Sequence, residues 1–338
     1  MQFPRTKQLV FTNNKGGVGK TTLAFNTAVK FAEMGYKTVL VDLDPQCNLT
    51  RLALGGDWFE DNLFSSQRRD ISDVLKGVVE GGGDIDISIK PTSTNYYPTI
   101  GIVPGSPDIV QFENLLITAI GQAAGGQRIG YFTTSAIDRY LRQLGLTEEV
   151  DIFVIDTSPT FGLLNRAILL GTDYFVVPLM PDAFSVQGIQ NLGNIYADWK
   201  EQWKITARAL AGKIESGLVL GGEGLFIGYI VNSYNVYAER PIKKQAQFID
   251  LIPQQIKEHL SDKHSRNGLV AKSHAAPLQI IQDYGQLPSI SHEKLTAIFD
   301  IPINEVNKLP QGTQDNYEKS KTEFTSLAEN IIAVLQTY

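Results

Sequence analysis

The sequence predicts an α/β fold, a mainly parallel twisted sheet flanked by helices on both faces. Three observations carry that expectation. The apolar run Leu9-Val10-Phe11 is followed by a glycine-rich loop and then by good helix formers from Leu23 to Met34. Further short apolar runs recur at 37–41 (KTVLV), 150–155 (VDIFVI), 174–178 and 225–231, with helical patterns between them. Two of these runs end in aspartates, at Asp42-Leu43-Asp44 and at Asp156. Strands that alternate with helices form parallel sheets covered on both sides.

In chain order, the first helix ends near Gly35, and KTVLV reads as a buried β-branched strand. Residues from about 55 to 130 read as a less regular insertion, with a helical pattern over 71–79, a Gly81-Gly82-Gly83 break and a short strand at 100–103. Helices are expected through 112–116 and 136–144, then a strand at 150–155, a helix at 163–170, a strand at 174–178, a helix at 185–199 and a strand at 225–231. Beyond Asn232 the chain turns polar, and about 236–338 reads as a helical C-terminal region of one domain spanning 1–338. Phe324, Leu327, Ile331, Ile332 and Leu335 put one apolar face on a last helix, which packs on the core or lies on a membrane.

Composition bounds the classes of function. Hydrophobic content of 43% over 338 residues supports a real core. Thirty Lys+Arg against 36 Asp+Glu, a net charge of −6, argues against a wholesale nucleic-acid coat and leaves room for a local basic patch. A single cysteine, Cys47, excludes a disulfide framework and points to a reducing compartment. No apolar run reaches the roughly 20 residues of a membrane span. The first five residues, MQFPR, lack a signal-peptide apolar region, so a cytoplasmic protein is expected.

The loop Lys15-Gly16-Gly17-Val18-Gly19-Lys20-Thr21-Thr22 has the context a phosphate cradle requires, strand before and helix after. Glycines let backbone N–H groups turn inward, and the helix start adds its positive dipole end. Lys20 would neutralise β- and γ-phosphates and the Thr21 hydroxyl would sit on Mg²⁺. Asp156, at the end of an apolar strand, is placed as a Walker B carboxylate that holds Mg²⁺ directly or through water. Asp42 is either a capping or structural carboxylate or a direct participant. Asp44, two positions on beside Pro45-Gln46, is favoured as catalytic.

The standard pattern wants glycine at position 14, where this chain has Asn14, and an extra lysine stands at 15. KGGVGKTT thereby resembles the deviant Walker A loop of the ParA/MinD family, Soj-type ATPases included. The resemblance extends to VDLDPQ at 41–46, like the family's first switch, and to VIDTSP at 154–159, like its second, with Ser158 where many members have proline. PLMPDAFSVQGIQNL at 178–192 resembles the passage beside the dimer interface, and VNSYN at 231–235 the adenine-contacting strand end. It is firm over 8–54 and 150–235 and looser beyond.

It implies a P-loop NTPase fold, ATP and Mg²⁺ as cofactors, and a homodimer on ATP binding in which Lys15 reaches the partner's nucleotide. Asp44 would orient the attacking water, sharing the metal environment with Thr21 and Asp156. Asn232 would read the base or merely end a strand. The family's cycle implies nonspecific DNA binding in the ATP state, a nucleoid-associated location, and a ParB-like or cargo-adaptor activator in plasmid or chromosome partitioning. The loop's strand starts within ten residues of Met1, which predicts a chain without the helix-turn-helix domain of the longer ParA class.

Between 240 and 275, seven basic side chains (Arg240, Lys243, Lys244, Lys257, Lys263, Arg266, Lys272) face three acids (Asp250, Glu258, Asp262). This is a solvated face or a DNA-contacting one. Cys47 is expected to be inert packing, and His259, His264, His274 and His292 to be solvated. Trp199 and Trp203, at i and i+4, read as core or dimer contact. A MinD-like membrane switch would need a basic amphipathic tail, and 323–338 contains no lysine or arginine. A cluster-bearing electron-transfer ATPase would need two cysteines. A small-molecule ligase or amidotransferase of the same fold remains as the alternative.

Overall fold

The computed structural model describes all residues except 1–2, 66, 95–98, 210–212, 235, 238–239, 242, 265–275 and 338. In chain order run β1 (Lys7–Phe11), α1 (Lys20–Glu33), β2 (Thr38–Leu43), α2 (Asn48–Leu54), α3 (Gly56–Leu63), α4 (Ile71–Val79), β3 (Thr92–Ser93), β4 (Ile100–Val103) and α5 (Ile109–Ala124). Then come α6 (Arg128–Thr134), α7 (Ala136–Thr147), β5 (Ile152–Thr157), α8 (Leu163–Gly171), β6 (Tyr174–Leu179), α9 (Ala183–Ala209) and β7 (Leu225–Tyr234). A hairpin, β8 (Val236–Tyr237) and β9 (Arg240–Pro241), precedes α10 (Lys243–Ile256), β10 (Gln279–Gln282) and a last helix, Gln311–Thr337.

Eight strands form one sheet in the order β10-β7-β6-β1-β5-β2-β4-β3. Every neighbouring pair is parallel except β3 with β4. The buried strands still alternate by face. Val10, Val41, Phe153 and Ile155 pack under α4, α5, α7, α8 and α9, whereas Leu9, Phe11, Leu40 and Val154 pack under α1, α2 and the last helix. Two separate hydrophobic layers result, as a doubly covered parallel sheet demands. The last helix buries Phe324, Leu327, Ile331 and Leu335 in the second layer, so of its two expected placements it takes the core. No helix among the described residues is long and apolar enough to cross a membrane.

Two expectations change. The stretch 55–130, read as a less regular insertion, carries α3, α4 and α5, and its β4 pairs with β2 inside the main sheet. Four residues, Ile100–Val103, bounded by Pro104-Gly105, are too short a signal to reveal a sheet member on their own. The C-terminal region is not wholly helical either, because β10 extends the sheet beyond β7.

His264 is corrected from solvated to buried, at 2% exposure, against Gly193 of α9. Gly193 has no side chain to hold the imidazole off, and a Cβ there would lie 2.2 Å from the His259 carbonyl oxygen. His259 and His292 are partly covered, and His274 lies outside the described residues. Cys47 is buried, with burial raising its thiol pKa, as inert packing requires. Trp199 and Trp203 lie in the core.

Candidate functional site

The carboxyl ends of β1, β5 and β2 lie side by side, with Phe11 opposite Asp156 and Asp42 opposite Asp156 in register. Everything the strands deliver there converges on one crevice. The loop from Thr12 to Gly19 crosses above it. Asn13 shapes the crossing, its Nδ2 donating to the Pro178 carbonyl at 2.7 Å and its Oδ1 accepting from Lys15 N at 2.9 Å. Gly17 and Gly19 have φ of 74° and 85°, which disfavours any side chain. At Gly19 a Cβ would also meet Asn232 Nδ2 at 2.3 Å, whereas at Gly16 and Gly17 it would meet nothing within 4 Å. Backbone N–H groups therefore border open space ahead of the α1 N-terminus, a concavity suited to an anion.

Lys20 is buried at the floor, its Nζ donating to the Lys15 carbonyl at 3.2 Å. Burial lowers its pKa, opposed by the carboxylates of Asp156 and Asp44. The Thr21 hydroxyl donates to Asp156 Oδ2 at 2.6 Å. The other oxygen, Asp156 Oδ1, is buried and has no hydrogen-bond partner among the described residues. Burial raises the Asp156 pKa, Asp42 and Asp44 add to the effect, and the Thr21 bond and Lys20 oppose it. An orphaned carboxylate oxygen beside a threonine hydroxyl is a donor set that fits Mg²⁺, which takes one or two carboxylates and completes its shell with phosphates and water. Among the described residues no three acidic, histidine or cysteine side chains form a ready-made metal cage. The sequence-predicted residues Lys20, Thr21, Asp44 and Asp156 are thus brought together.

Of the two readings of Asp42, the geometry favours the structural one. It is fully buried and accepts from Thr50 N at 2.8 Å, Thr50 Oγ1 at 2.7 Å and Asp44 N at 3.2 Å. Burial pushes its pKa up to about 6 against the pull of those bonds. Thr50 Oγ1 also accepts from Gly105 N at 2.8 Å, so through Thr50 Asp42 ties α2 to the loop after β4. Asp44 stays at the crevice edge, 8% exposed, its Oδ1 accepting from Gln46 N at 2.9 Å.

Lys15 does not join Lys20. Its ammonium is ion-paired with Asp182, on the turn between β6 and α9. Asp182 Oδ1 also accepts from Ser185 N at 2.9 Å and so caps α9. Burial works against ionisation of Asp182, yet the Lys15 and Ser185 hydrogen bonds hold its pKa below the ordinary value. Sequence reasoning does not single out Asp182. The signal is nevertheless present, an aspartate three residues ahead of Ser185 at a helix start.

Asn232 lies beside the phosphate loop, donating from Nδ2 to the Val18 carbonyl at 2.9 Å. A neighbouring cavity of about 190 Å³ runs from Gly17, Gly19 and Thr22 past Asn232 to Asp283 and Pro288. Asp283 follows β10, Asn232 lies near the carboxyl end of β7, and only the parallel pairing of these strands brings the two segments together. Among the seven basic residues, Lys257 pairs with Asp262 and Lys263 donates to Asn194 Oδ1 at 2.9 Å. The side chains of Arg240, Lys243, Lys244, Arg266 and Lys272 lie outside the described residues.

Residues 6–208 match the family model described as an AAA domain. The uncharacterized protein MJECL24 of Methanocaldococcus jannaschii is 27% identical over 71% of this chain and 78% of its own length. The virulence plasmid ParA family protein pGP5-D of Chlamydia psittaci is 30% identical over 55% of this chain and 61% of its own. Sporulation initiation inhibitor protein Soj of Bacillus subtilis is 26% identical over 56% and 64%. The chain thus spans less than two thirds of these last two relatives. Among solved structures, protein DIP2308 of Corynebacterium diphtheriae superposes with a TM-score of 0.74 at 24% identity over 98% of this chain and 99% of that one. McdA of Cyanothece, as a variant in complex with ATP, gives 0.62 at 17% identity over 97% and 96%. These structural likenesses establish the fold, and the family match together with the ParA-named relatives places the chain among the AAA-domain proteins as a ParA-type ATPase.

Proposed function

We propose that the chain is an ATP-hydrolysing dimerisation switch. With ATP and Mg²⁺ it closes into a homodimer, and in that state it holds nonspecific DNA in the cytoplasm, on the nucleoid. Hydrolysis, stimulated by a ParB-like or cargo-adaptor partner, releases it, and the cycle drives plasmid or chromosome partitioning or the positioning of another cargo.

The observation that carries this reading is the split between the two loop lysines. Lys20 is buried at the phosphate floor, whereas Lys15 is held outside by Asp182. On this reading Lys15 would be handed to a second copy, where it would act as an arginine finger does, an effect of about a thousandfold or more.

Within one chain the backbone N–H groups of 16–19 and Lys20 would bind the phosphates. Thr21 and Asp156 would hold Mg²⁺, which supplies charge neutralisation across the phosphates when bound. Asp44 would orient water, its backbone N–H fixed by Asp42. Asn232 and the adjoining cavity would take the base.

The test measures binding of random-sequence duplex DNA with ATP, with ADP and with no nucleotide, across a salt series, alongside ATPase activity of Lys15→Ala. ATP-dependent, salt-sensitive binding and a large loss of hydrolysis in the variant are expected. No DNA binding under any nucleotide, with full ATPase in Lys15→Ala, would refute the switch and favour a small-molecule ligase of the same fold.

A further inference from the structure

Far from the phosphate loop, α9 carries Lys200, Lys204 and Arg208 at i, i+4 and i+8. That spacing puts three cations on one helix face, about 6 Å apart along the axis. They line a cavity of about 650 Å³ closed on the other side by the turn 221–223 and by Lys263. The turn leads directly into β7, so the cavity opens at the amino end of the strands, opposite the nucleotide crevice. Four cations face two acids, Glu201 and Glu223, in a chain of net charge −6.

The groove is built rather than incidental. Trp203 Nε1 donates to the Leu220 carbonyl at 2.9 Å, and Gly222, at φ 68°, lies so close that a Cβ would meet Trp203 at 2.8 Å. That contact fixes the turn against the helix. Lys263 is held to α9 through Asn194. Lys200 lies over the Tyr196 ring, 5.6 Å from its centroid, and is half covered. Lys204 reaches Glu201 at 3.2 Å, but both are more than half exposed, so that pair is easily given up. Arg208 makes no ion pair among the described residues, which leaves its fork of donors open to an anion.

We infer that this groove on α9 binds the phosphodiester backbone of duplex DNA. DNA contact would then extend beyond the basic segment 240–275 to a second element of the chain. The inference rests on the DNA-binding part of the proposed function. An evenly spaced cation row along a rigid helix suits a ligand with regularly repeated charge. Between the cations the lining is Ala197, Ala207, Gly221, Gly222 and the already packed Trp203 and His264, which leave little exposed apolar surface for the large apolar anchors that dominate protein partners. Acidic surface elsewhere would confine DNA to this face.

The test measures binding of a labelled random-sequence duplex to the full chain with ATP over a salt series, for wild type and for Lys204→Glu/Arg208→Glu. A control, Lys308→Glu/Lys321→Glu, makes the same charge change remote from α9, Lys321 lying on the last helix beneath the opposite face of the sheet. The groove variant should bind about tenfold more weakly at low salt, with the log–log salt slope reduced by about two, and the control should bind as wild type does. If the charge reversal lowers the unfolding temperature, Lys204→Gln/Arg208→Gln is read instead, with the same slope change expected. Wild-type binding and slope in the groove variant, while wild type binds DNA, would overturn the groove and leave the DNA reading standing. No duplex binding by wild type would overturn both. Binding of poly-glutamate that depends on Lys204 and Arg208, without duplex binding, would reassign the groove to an acidic protein and overturn the inference.

Discussion

Asp182→Asn should make the ATP-bound chain dimerise more tightly. In the free chain Lys15 is paired with Asp182, and on the proposed reading it must leave that partner to reach a second copy. The side chains are 22% and 34% exposed, between a surface pair and a buried one, so breaking the pair costs about 0.5–1 kcal/mol. A symmetric dimer breaks it twice, about 1–2 kcal/mol in all, or roughly five- to thirtyfold in the association constant. Asparagine keeps an acceptor for Ser185 N, so the α9 cap survives and only the charge is removed. Asp182→Ala would lose the cap as well and separates the two effects.

The assay is sedimentation equilibrium with a non-hydrolysable ATP analogue, wild type against variant. An association constant unchanged or weakened in Asp182→Asn would refute the reasoning, because Lys15 would then not be exchanged between Asp182 and the partner copy.

Two further outcomes are expected. Asp44→Asn should bind ATP within a few-fold of wild type and lose hydrolysis by about a hundredfold or more, read by nucleotide binding and single-turnover rates; equal losses in both would make Asp44 a binding residue. His264 is held neutral by burial, its pKa lowered from 6.5 to about 4 against the Gly193 bond. The unfolded chain therefore takes up the proton first, and stability fully present above pH 6.5 falls as pH drops toward 4. Between pH 7.5 and 5 the linkage amounts to about 2 kcal/mol. His264→Gln should flatten denaturant stability between those pH values by about that much, and an unchanged pH profile would show that the imidazole titrates alike in the folded and unfolded chain.

What the sequence makes legible is local. The strand-loop-helix order around Lys20, the apolar strand into Asp156 and the Trp199/Trp203 pair each follow from residues within one or two elements. Asp182 shows in the sequence only as a helix cap, and it is topology that brings it to Lys15, as it brings Asp283 to the loop. The Lys15–Asp182 pair spans 167 residues, and Asp283 reaches the loop only because β10 lies beside β7. Asp42 is ambiguous in sequence for a related reason. Its aspartate-leucine-aspartate context fits catalysis as well as support, and the decision rests on Thr50, eight residues on, and on Gly105 beyond. His264 misleads because its neighbours in sequence are charged while its neighbours in space are Gly193 and Tyr196.

The charges at the crevice bear on the proposed need for a second chain. Asp42, Asp44 and Asp156 stand within or beside adjacent strand ends, against Lys20 as the buried cation. Each carboxylate raises the cost of ionising its neighbours, and incoming phosphates would add more negative charge to the same low-dielectric space. Mg²⁺ held by Thr21 and Asp156 would supply charge that offsets part of that excess. The remaining cation within the loop is Lys15, which its own Asp182 keeps at the rim. A chain so arranged would bind nucleotide alone and hydrolyse it poorly. On the proposed reading, the excess of carboxylates at the crevice and the lysine held at the rim would belong to one device, making hydrolysis conditional on pairing with a second copy.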